Sequence, residues 1–313
     1  MQARLAESLA HIFEQCAPHI DFDEPAAGAL VHWMASGERI EPALFGAYFV
    51  LVATIEQGET HEVEQELRSL LYRAGRPLSP PLRIRPLNRR EFAEEEEQEL
   101  RRSFVSESLL DEQIDHLAGE EEAKSRAQFE RALAILAEHA PATYAELETQ
   151  ISEIIPARGR PADGVEFDGC SSLERWGSIL INARMKKTDL ELAETIAHEA
   201  GHNALFALAP VNGHVENDDD ERYSSPLRVD PRPMNGIYHA TFVLARMCFA
   251  MREVATSSKA PAALAAEARK LSERSATLFA HGHKVVREHG RLTPEGRKIM
   301  RDAAEYMAAD DLV

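Results

Sequence analysis

Two histidines four positions apart are the residues of this chain best suited to carry chemistry. They belong to the segment His198-Glu199-Ala200-Gly201-His202, an HExxH motif. Positions four apart on an α-helix lie on one face, one turn apart, so both imidazoles can bind a single divalent metal ion. Helices of this kind are typical of metal-dependent hydrolases, in which the glutamate is the general base. We predict a metal site at His198 and His202, with Glu199 beside it.

The helix that must carry the motif has recognisable ends. Thr188 and Glu191 fit a capping box, which predicts that the helix begins near Asp189. Pro210 and the pair Asn212-Gly213 predict where it stops. Apolar residues recur at helical spacing between these ends and indicate a buried face. An unpaired imidazole would be costly to bury in so apolar a helix, which favours metal binding over two core histidines.

A short strand is predicted immediately before this helix. The segment Trp176 to Asn182 reads as the strand, and Ile154-Ile155 and Val165-Glu166-Phe167 are its candidate partners. A small sheet next to the HExxH helix can form one wall of a cleft, and a free edge can pair with an extended peptide. The alternative is a sheet that only covers the core.

Length and composition are those of an ordinary globular protein. The chain has 313 residues, of which 44% are hydrophobic and 28% charged. No apolar run is long enough to span a membrane, and Met1 to Glu14 lacks a secretory apolar region. The cysteines, Cys16, Cys170 and Cys248, are odd in number and widely spaced. We therefore expect reduced thiols and a cytoplasmic location.

The formal net charge of −18 argues against a nucleic-acid partner, because phosphate backbones are bound by clustered lysine and arginine. Such a charge favours solubility, and it would also attract a basic partner. The acidic runs Glu94 to Glu97 and Glu120 to Glu122 are interpreted as solvated helix faces.

Helical patterns dominate the rest of the chain, which predicts a mainly α (α+β) fold, bundle-like, with a small β-sheet. The predicted helical segments are Arg4 to Cys16, Glu24 to Ala35, Glu41 to Ile55, Glu62 to Arg73, Arg89 to His139, Tyr144 to Ile151, Pro261 to Glu288 and Pro294 to Ala308, with another from Gly236 onward. The proline-rich stretch Arg76 to Leu87 is interpreted as an extended connector. We therefore divide the chain into an N-terminal helical region, residues 1–88, and a metal-binding region, residues 89–313.

Two histidines supply only two ligands, and a catalytic site needs a third while leaving positions open. The downstream candidates are His214, Glu216, Asp218 to Asp220, Glu221, His239 and Glu253. A zinc peptidase of the glutamate-ligand type would take its third ligand from a second regular helix, whereas Glu216 and Glu221 lie in a polar loop. His239 is better placed, because it falls in the first turn of a helix predicted near Gly236.

The loop before His239 can also bind an anion. Prolines restrict it, and it carries Arg228 and Arg232, whose guanidinium groups can hold a carboxylate through two hydrogen bonds. One segment then supplies a metal ligand and an anion clamp. The alternative is a surface loop with solvated arginines and a core histidine.

Three segments that follow the HExxH motif carry a resemblance to a known family. They are Glu221 to Arg228, Asp230 to Pro233 and Gly236 to His239. Together with the motif they resemble the HExxH-type peptide β-hydroxylases, over roughly Trp176 to Met251. The resemblance implies an oxygenase that uses Fe(II) and 2-oxoglutarate to hydroxylate the β-carbon of a residue in a ribosomally made precursor peptide, with O₂ as co-substrate.

The resemblance also implies roles for individual residues. His198, His202 and His239 would bind iron, leaving positions for 2-oxoglutarate and O₂. Glu199 would then orient a ligand or a water molecule rather than act as a base.

The co-substrate would be held by the loop. Arg232, or Arg228, would pair with the far carboxylate of 2-oxoglutarate, and Tyr223 and Ser225 would supply further hydrogen bonds.

Two other classes of protein remain open at this point. In a zinc metallopeptidase, Glu199 would deprotonate a zinc-bound water. In a non-catalytic binding module, four protein ligands would hold a structural zinc, with His214, Glu216 or Glu221 completing the set.

Overall fold

A computed structural model describes residues 2–38, 40–58, 60–74, 82–105, 111–160, 166–209 and 213–308. These residues are mainly helical with a small mixed sheet, which confirms the predicted fold class. The chain forms two compact units, Met1–Glu122 with Ile151–Met185, and Ala123–Gln150 with Lys186–Val313. The boundary predicted at residue 88 falls inside the first unit, because a strand at Arg83–Ile84 pairs with a later strand of that unit.

The first unit begins with four helices, close to the bounds predicted from the sequence. They are α1 (Gln2–Cys16), α2 (Glu24–Ser36), α3 (Pro42–Gln57) and α4 (Thr60–Ala74). Leu9, Leu30, Phe45 and Leu67 are among the residues of their shared hydrophobic core. The ends follow local chemistry: the Asp23 carboxylate accepts a hydrogen bond from the Ala26 amide at the start of α2.

The sheet of the first unit is built around its third strand. The elements are β1 (Arg83–Ile84), α5 (Glu94–Phe104), β2 (Ile114–Asp115), β3 (Glu153–Gly159), β4 (Gly169–Ser171) and β5 (Ser178–Asn182). Strand β3 pairs in parallel with β1 and β5 and antiparallel with β2, while β4 pairs antiparallel with β5. The register places Glu153 opposite Ser178 and Ile154 opposite Ile179. The segment 76–81 of the predicted connector lies outside the described residues.

Two expectations about this sheet were wrong. Strand β5 offers no free edge to a peptide, because it pairs with β3 on one side and with β4 on the other. The antiparallel partner is β4 rather than the segment ending at Phe167. The side-chain amide of Asn182 donates to the Phe167 carbonyl oxygen at 2.9 Å. This side chain therefore occupies a backbone acceptor that strand pairing would otherwise use. Val165 lies outside the described residues.

A buried carboxylate anchors the start of β3. The Glu153 side chain is fully buried and accepts hydrogen bonds from Arg85 at 2.7 Å, Arg175 at 3.0 Å and Ser178 at 3.0 Å. Burial alone would raise the pKa of Glu153, but the charges of Arg175 and Arg85 hold it at about 2. The carboxylate therefore stays ionised within the unit and ties β3 to the chain around it.

The second unit is helical. Its elements are α6 (Gly119–His139), most of which belongs to it, α7 (Pro141–Gln150), α8 (Asp189–Leu208), α9 (Met234–Thr256), α10 (Ala262–His289) and α11 (Pro294–Ala308). Leu205, Ile237, Tyr238 and Val243 are buried in its core. Helix α9 begins two residues before the predicted Gly236, since Pro233 precedes its first turn.

Glycines bring the helices of this unit close together. A Cβ added at Gly201 of α8 would lie 3.3 Å from the side chains of Val243 and Arg246 on α9. One added at Gly282 of α10 would lie 2.3 Å from Thr241 Oγ1. Among the described helices, none is both long and apolar enough to cross a membrane. Cys16 and Cys170 are half-buried, and Cys248 is buried.

We predict that replacing Glu153 by glutamine lowers the free energy of unfolding by about 3–5 kcal/mol, because Arg85 and Arg175 lose their fully buried counter-charge and keep only the half-buried Glu96. Denaturant titration measures this, with Glu95→Gln on an exposed position of α5 as the control, expected within about 0.5 kcal/mol. The folded-state pKa of Glu153 is depressed, so its stabilisation is complete above about pH 4.5 and is lost as the pH falls towards about 2. Equal stability of the two glutamine variants at pH 7 would contradict this role.

Candidate metal centre

Helix α8 forms where the sequence predicts it, and its first turn is held by the expected capping box. The Thr188 hydroxyl accepts from the Glu191 amide at 3.2 Å, and the Glu191 carboxylate accepts from the Thr188 amide at 2.8 Å. The helix extends to Leu208. Pro210 and Asn212, which were expected to end it, lie outside the described residues.

The two histidines of the motif face each other at a distance that suits a shared metal ion. Their Nε2 atoms lie 3.2 Å apart, and their ring centroids lie 5.0 Å apart. With metal–nitrogen bonds of about 2.0–2.1 Å, two nitrogens bound to one ion at 90–110° are separated by about 2.9–3.4 Å. The pair His198 and His202 therefore fits as two ligands of one ion without any change in the backbone.

The third histidine, His239, comes from α9 and lies against His202. Its ring is 5.8 Å from that of His202 and roughly parallel to it, at an angle of 29°. Two imidazoles on one ion would have centroids about 4.5–5.3 Å apart, so the His239 ring must move closer to His202 to share an ion with it. In agreement, no three His, Cys, Asp or Glu side chains of the described residues stand ready to hold a metal ion.

Burial keeps all three imidazoles neutral, which is the form that binds metal. Burial lowers the pKa of His198 to about 4, assisted by the positive charges of Lys187 and Arg228. It lowers the pKa of His202 and of His239 to about 3. The His198 side chain nevertheless keeps 22% of its surface exposed, so the pair can be reached from solvent.

The glutamate of the motif is buried close to the same nitrogen atoms. Glu199 is 4% exposed, and its Oε1 lies 4.0 Å from His198 Nε2. A carboxylate at this distance can accept a proton from a water at the metal or orient such a water. Its position is compatible with both roles considered from the sequence.

The loop between α8 and α9 is held by its own hydrogen bonds. The backbones of Tyr223 and Arg232 exchange two hydrogen bonds of 2.9 Å. The Tyr223 hydroxyl donates to the Glu221 carboxylate. The Ser225 hydroxyl accepts from the amides of Leu227 and Arg228 at 3.3 and 3.1 Å. Tyr223 and Ser225, predicted to bind the co-substrate, therefore use their hydroxyls to shape the loop.

The two arginines of the loop have different surroundings. Arg232 Nε lies 2.8 Å from Asp230 Oδ2 and forms an ion pair with this exposed carboxylate, although this buried nitrogen makes no hydrogen bond within the described residues. Arg228 is exposed, follows the Ser225 turn, and acts electrostatically on His198. Of the two, Arg228 is the better placed to attract an anion towards the histidines.

The glutamates considered as a third ligand are engaged elsewhere or exposed. The Glu253 carboxylate accepts from the amides of Ala142 and Thr143 at 3.1 and 2.9 Å, which caps α7. Glu221 pairs with Arg291 at 3.2 Å, in addition to its bond with the Tyr223 hydroxyl. Glu216 is exposed.

Two neighbours of the histidines were not identified from the sequence. Met247 of α9 lies with its sulfur 3.2 Å from His198 Nδ1. Lys187 acts on His198 and donates to the Thr195 hydroxyl at 2.5 Å. The spacing of Met247 marks it only as a core residue of α9, and no motif includes Lys187.

We predict that the protein binds one divalent ion per chain, and that His198→Ala and His202→Ala each weaken it by at least about 100-fold, since each removes a direct ligand. Calorimetric titration with Co²⁺ into metal-free protein measures the affinity. His11→Ala, an exposed histidine of α1, is the control and should leave the affinity unchanged. If both His198→Ala and His202→Ala still bound Co²⁺ tightly, the metal site would not lie on α8.

Comparison with known proteins adds no assignment to this geometry. No protein-family model and no curated protein matches the sequence. What the chain does must therefore be argued from the residues that converge at the candidate metal centre.

Proposed function

We propose that this protein is an Fe(II)- and 2-oxoglutarate-dependent oxygenase that hydroxylates the β-carbon of a residue in a ribosomally made precursor peptide. The observation that carries the proposal is the contact of the His239 ring with His202 of the HExxH pair, which brings a third buried imidazole from a second helix to the motif. The resemblance of the loop and of the first turns of α9 to the peptide β-hydroxylases supports it.

The donor set fits iron better than it fits a peptidase site of the glutamate-ligand type. The glutamate on the next regular helix, Glu253, caps α7, while the imidazole of His239 lies beside His202. Three imidazoles on an octahedral ion leave three positions for co-substrate and O₂. When bound, Fe(II) would supply the oxidative decarboxylation of 2-oxoglutarate that drives hydroxylation.

The chain's own residues then have defined tasks. His198, His202 and His239 hold the ion and, being neutral, leave its charge to be balanced by a carboxylate. Arg228 pairs with the far carboxylate of 2-oxoglutarate, and Ser225 fixes the turn that presents it. Glu199 orients a ligand or a water from its buried position.

The second candidate function is a zinc metallopeptidase. The buried Glu199 carboxylate, 4.0 Å from His198 Nε2, favours it, because a general base must reach water at the metal. The precursor peptide would then be cleaved rather than hydroxylated.

The deciding experiment incubates the purified protein with Fe(II), 2-oxoglutarate, O₂ and a candidate precursor peptide encoded next to its gene. We expect succinate and a peptide heavier by one oxygen atom, with the mass gain on a single residue. Glu199→Gln should retain part of this turnover, because no general base is needed. Cleavage of the peptide by the zinc-loaded protein without 2-oxoglutarate, abolished in Glu199→Gln, would establish the peptidase instead.

We predict that Arg228→Ala raises the 2-oxoglutarate concentration required for half-maximal succinate formation by about 10- to 100-fold, as expected for a lost charge-assisted hydrogen bond. Arg232→Ala is the matched control from the same loop. It should change the requirement by less than about threefold, because Arg232 is already paired with Asp230. If Arg232→Ala raised the 2-oxoglutarate requirement more than Arg228→Ala does, Arg232 would be the residue that pairs with the co-substrate carboxylate.

A further inference from the structure

A fourth imidazole of the second unit has a buried nitrogen without a partner. His214 is 4% exposed, and its Nε2 has no hydrogen-bond partner in the described part of the chain. Buried polar atoms are almost always satisfied in folded proteins, because leaving one unpaired forfeits its hydration. An orphaned nitrogen in an otherwise well-packed region therefore points to a group that binds there.

The backbone of His214 is clamped by the start of α11. Its carbonyl oxygen accepts from the amide of Thr293 at 3.1 Å. A Cβ added at Gly296 would lie 2.2 Å from the same oxygen, so only glycine allows this approach. The residue is fixed even though it belongs to the loop between α8 and α9.

The ring of His214 is fixed as well. It stacks on Tyr238 with centroids 5.1 Å apart and an angle of 15°. Tyr238 is fully buried, and its hydroxyl donates to the Gly296 carbonyl oxygen at 2.9 Å. Holding both ring and backbone rigid is what a preorganised binding group requires.

This fixed ring lies at the edge of the candidate metal centre. It meets His239 edge-on, with centroids 6.1 Å apart and an angle of 77°. The His214 ring is thus an immediate neighbour of a candidate ligand, and a molecule that contacts His239 would lie close to it.

We propose that His214 donates a hydrogen bond from Nε2 to a carboxylate of the co-substrate bound at the metal centre. The inference rests on the proposed function, because it takes 2-oxoglutarate as the anion. Neutral imidazole carries one N–H, which Nε2 can donate when the ring is in that tautomer. Arg228 would then neutralise one end of the dianion while His214 orients the other.

The test uses His214→Phe in protein loaded with Ni²⁺, which occupies the site without turnover. Phenylalanine keeps the stacking on Tyr238 and removes the donor. We expect the Ni²⁺ affinity to stay within about threefold of the unaltered protein, and the affinity for 2-oxoglutarate to fall by about 10- to 100-fold. Calorimetric titration measures both affinities in the same samples.

Matched variants separate this role from a structural one. His139→Phe removes another buried histidine of the same unit, one bonded to Ser257 at 3.3 Å, and should leave 2-oxoglutarate binding unchanged. His214→Gln, which restores a donor, should recover part of the affinity. His214→Leu serves in place of the phenylalanine variant should that variant not fold, as judged by circular dichroism.

Three results would overturn the inference. If a folded variant without the donor bound 2-oxoglutarate as tightly as the unaltered protein, the role of His214 would be rejected, while the proposed function would stand. A loss of Ni²⁺ affinity of about 100-fold or more would make His214 a metal ligand. Failure of the unaltered Ni²⁺-loaded protein to bind 2-oxoglutarate would reject the proposed function together with this inference.

Discussion

The close packing of α8 against α9 is the constraint on which the candidate site depends. Gly201, inside the HExxH motif, has no side chain to hold Val243 and Arg246 away, so the two helices approach closely. Helical geometry then turns His198 and His202 towards the helix that carries His239. The motif glycine therefore sets how closely the two helices pack, and the motif histidines would supply the metal ligands.

The same loop that connects these helices contributes to the electrostatics of the site. The hydroxyl groups of Tyr223 and Ser225 form hydrogen bonds within the loop, and that of Ser225 fixes the turn before Arg228. The chain carries a net charge of −18, but Arg228 is exposed and its positive charge acts on His198. A local positive potential at that point would attract an anionic molecule more strongly than a cationic one.

Local features of the site were predictable from the sequence, because neighbouring residues determine them. The capping box at Thr188 and the spacing of His198 and His202 require only helical periodicity. The position of His239 could be proposed from its proline-restricted loop and from a family resemblance. The ring stacking of His214 on Tyr238 and the loss of a free edge on β5 depend on distant segments, and no local pattern encodes them. The choice between Arg228 and Arg232 likewise depends on which carboxylate lies nearest in space.

The contact between His198 and Met247 bears on how selective the candidate metal centre would be among metal ions. Imidazole ligands usually give their second nitrogen to a carboxylate or carbonyl oxygen, which fixes the ring and strengthens the donor. Here that nitrogen faces a thioether sulfur at 3.2 Å, a weak acceptor on a flexible side chain. The orientation of His198 is then set by packing, and the ring can adjust to ions of different radius. Which first-row metal binds would accordingly depend more on the metals available in the cell than on a rigid arrangement of the ligands.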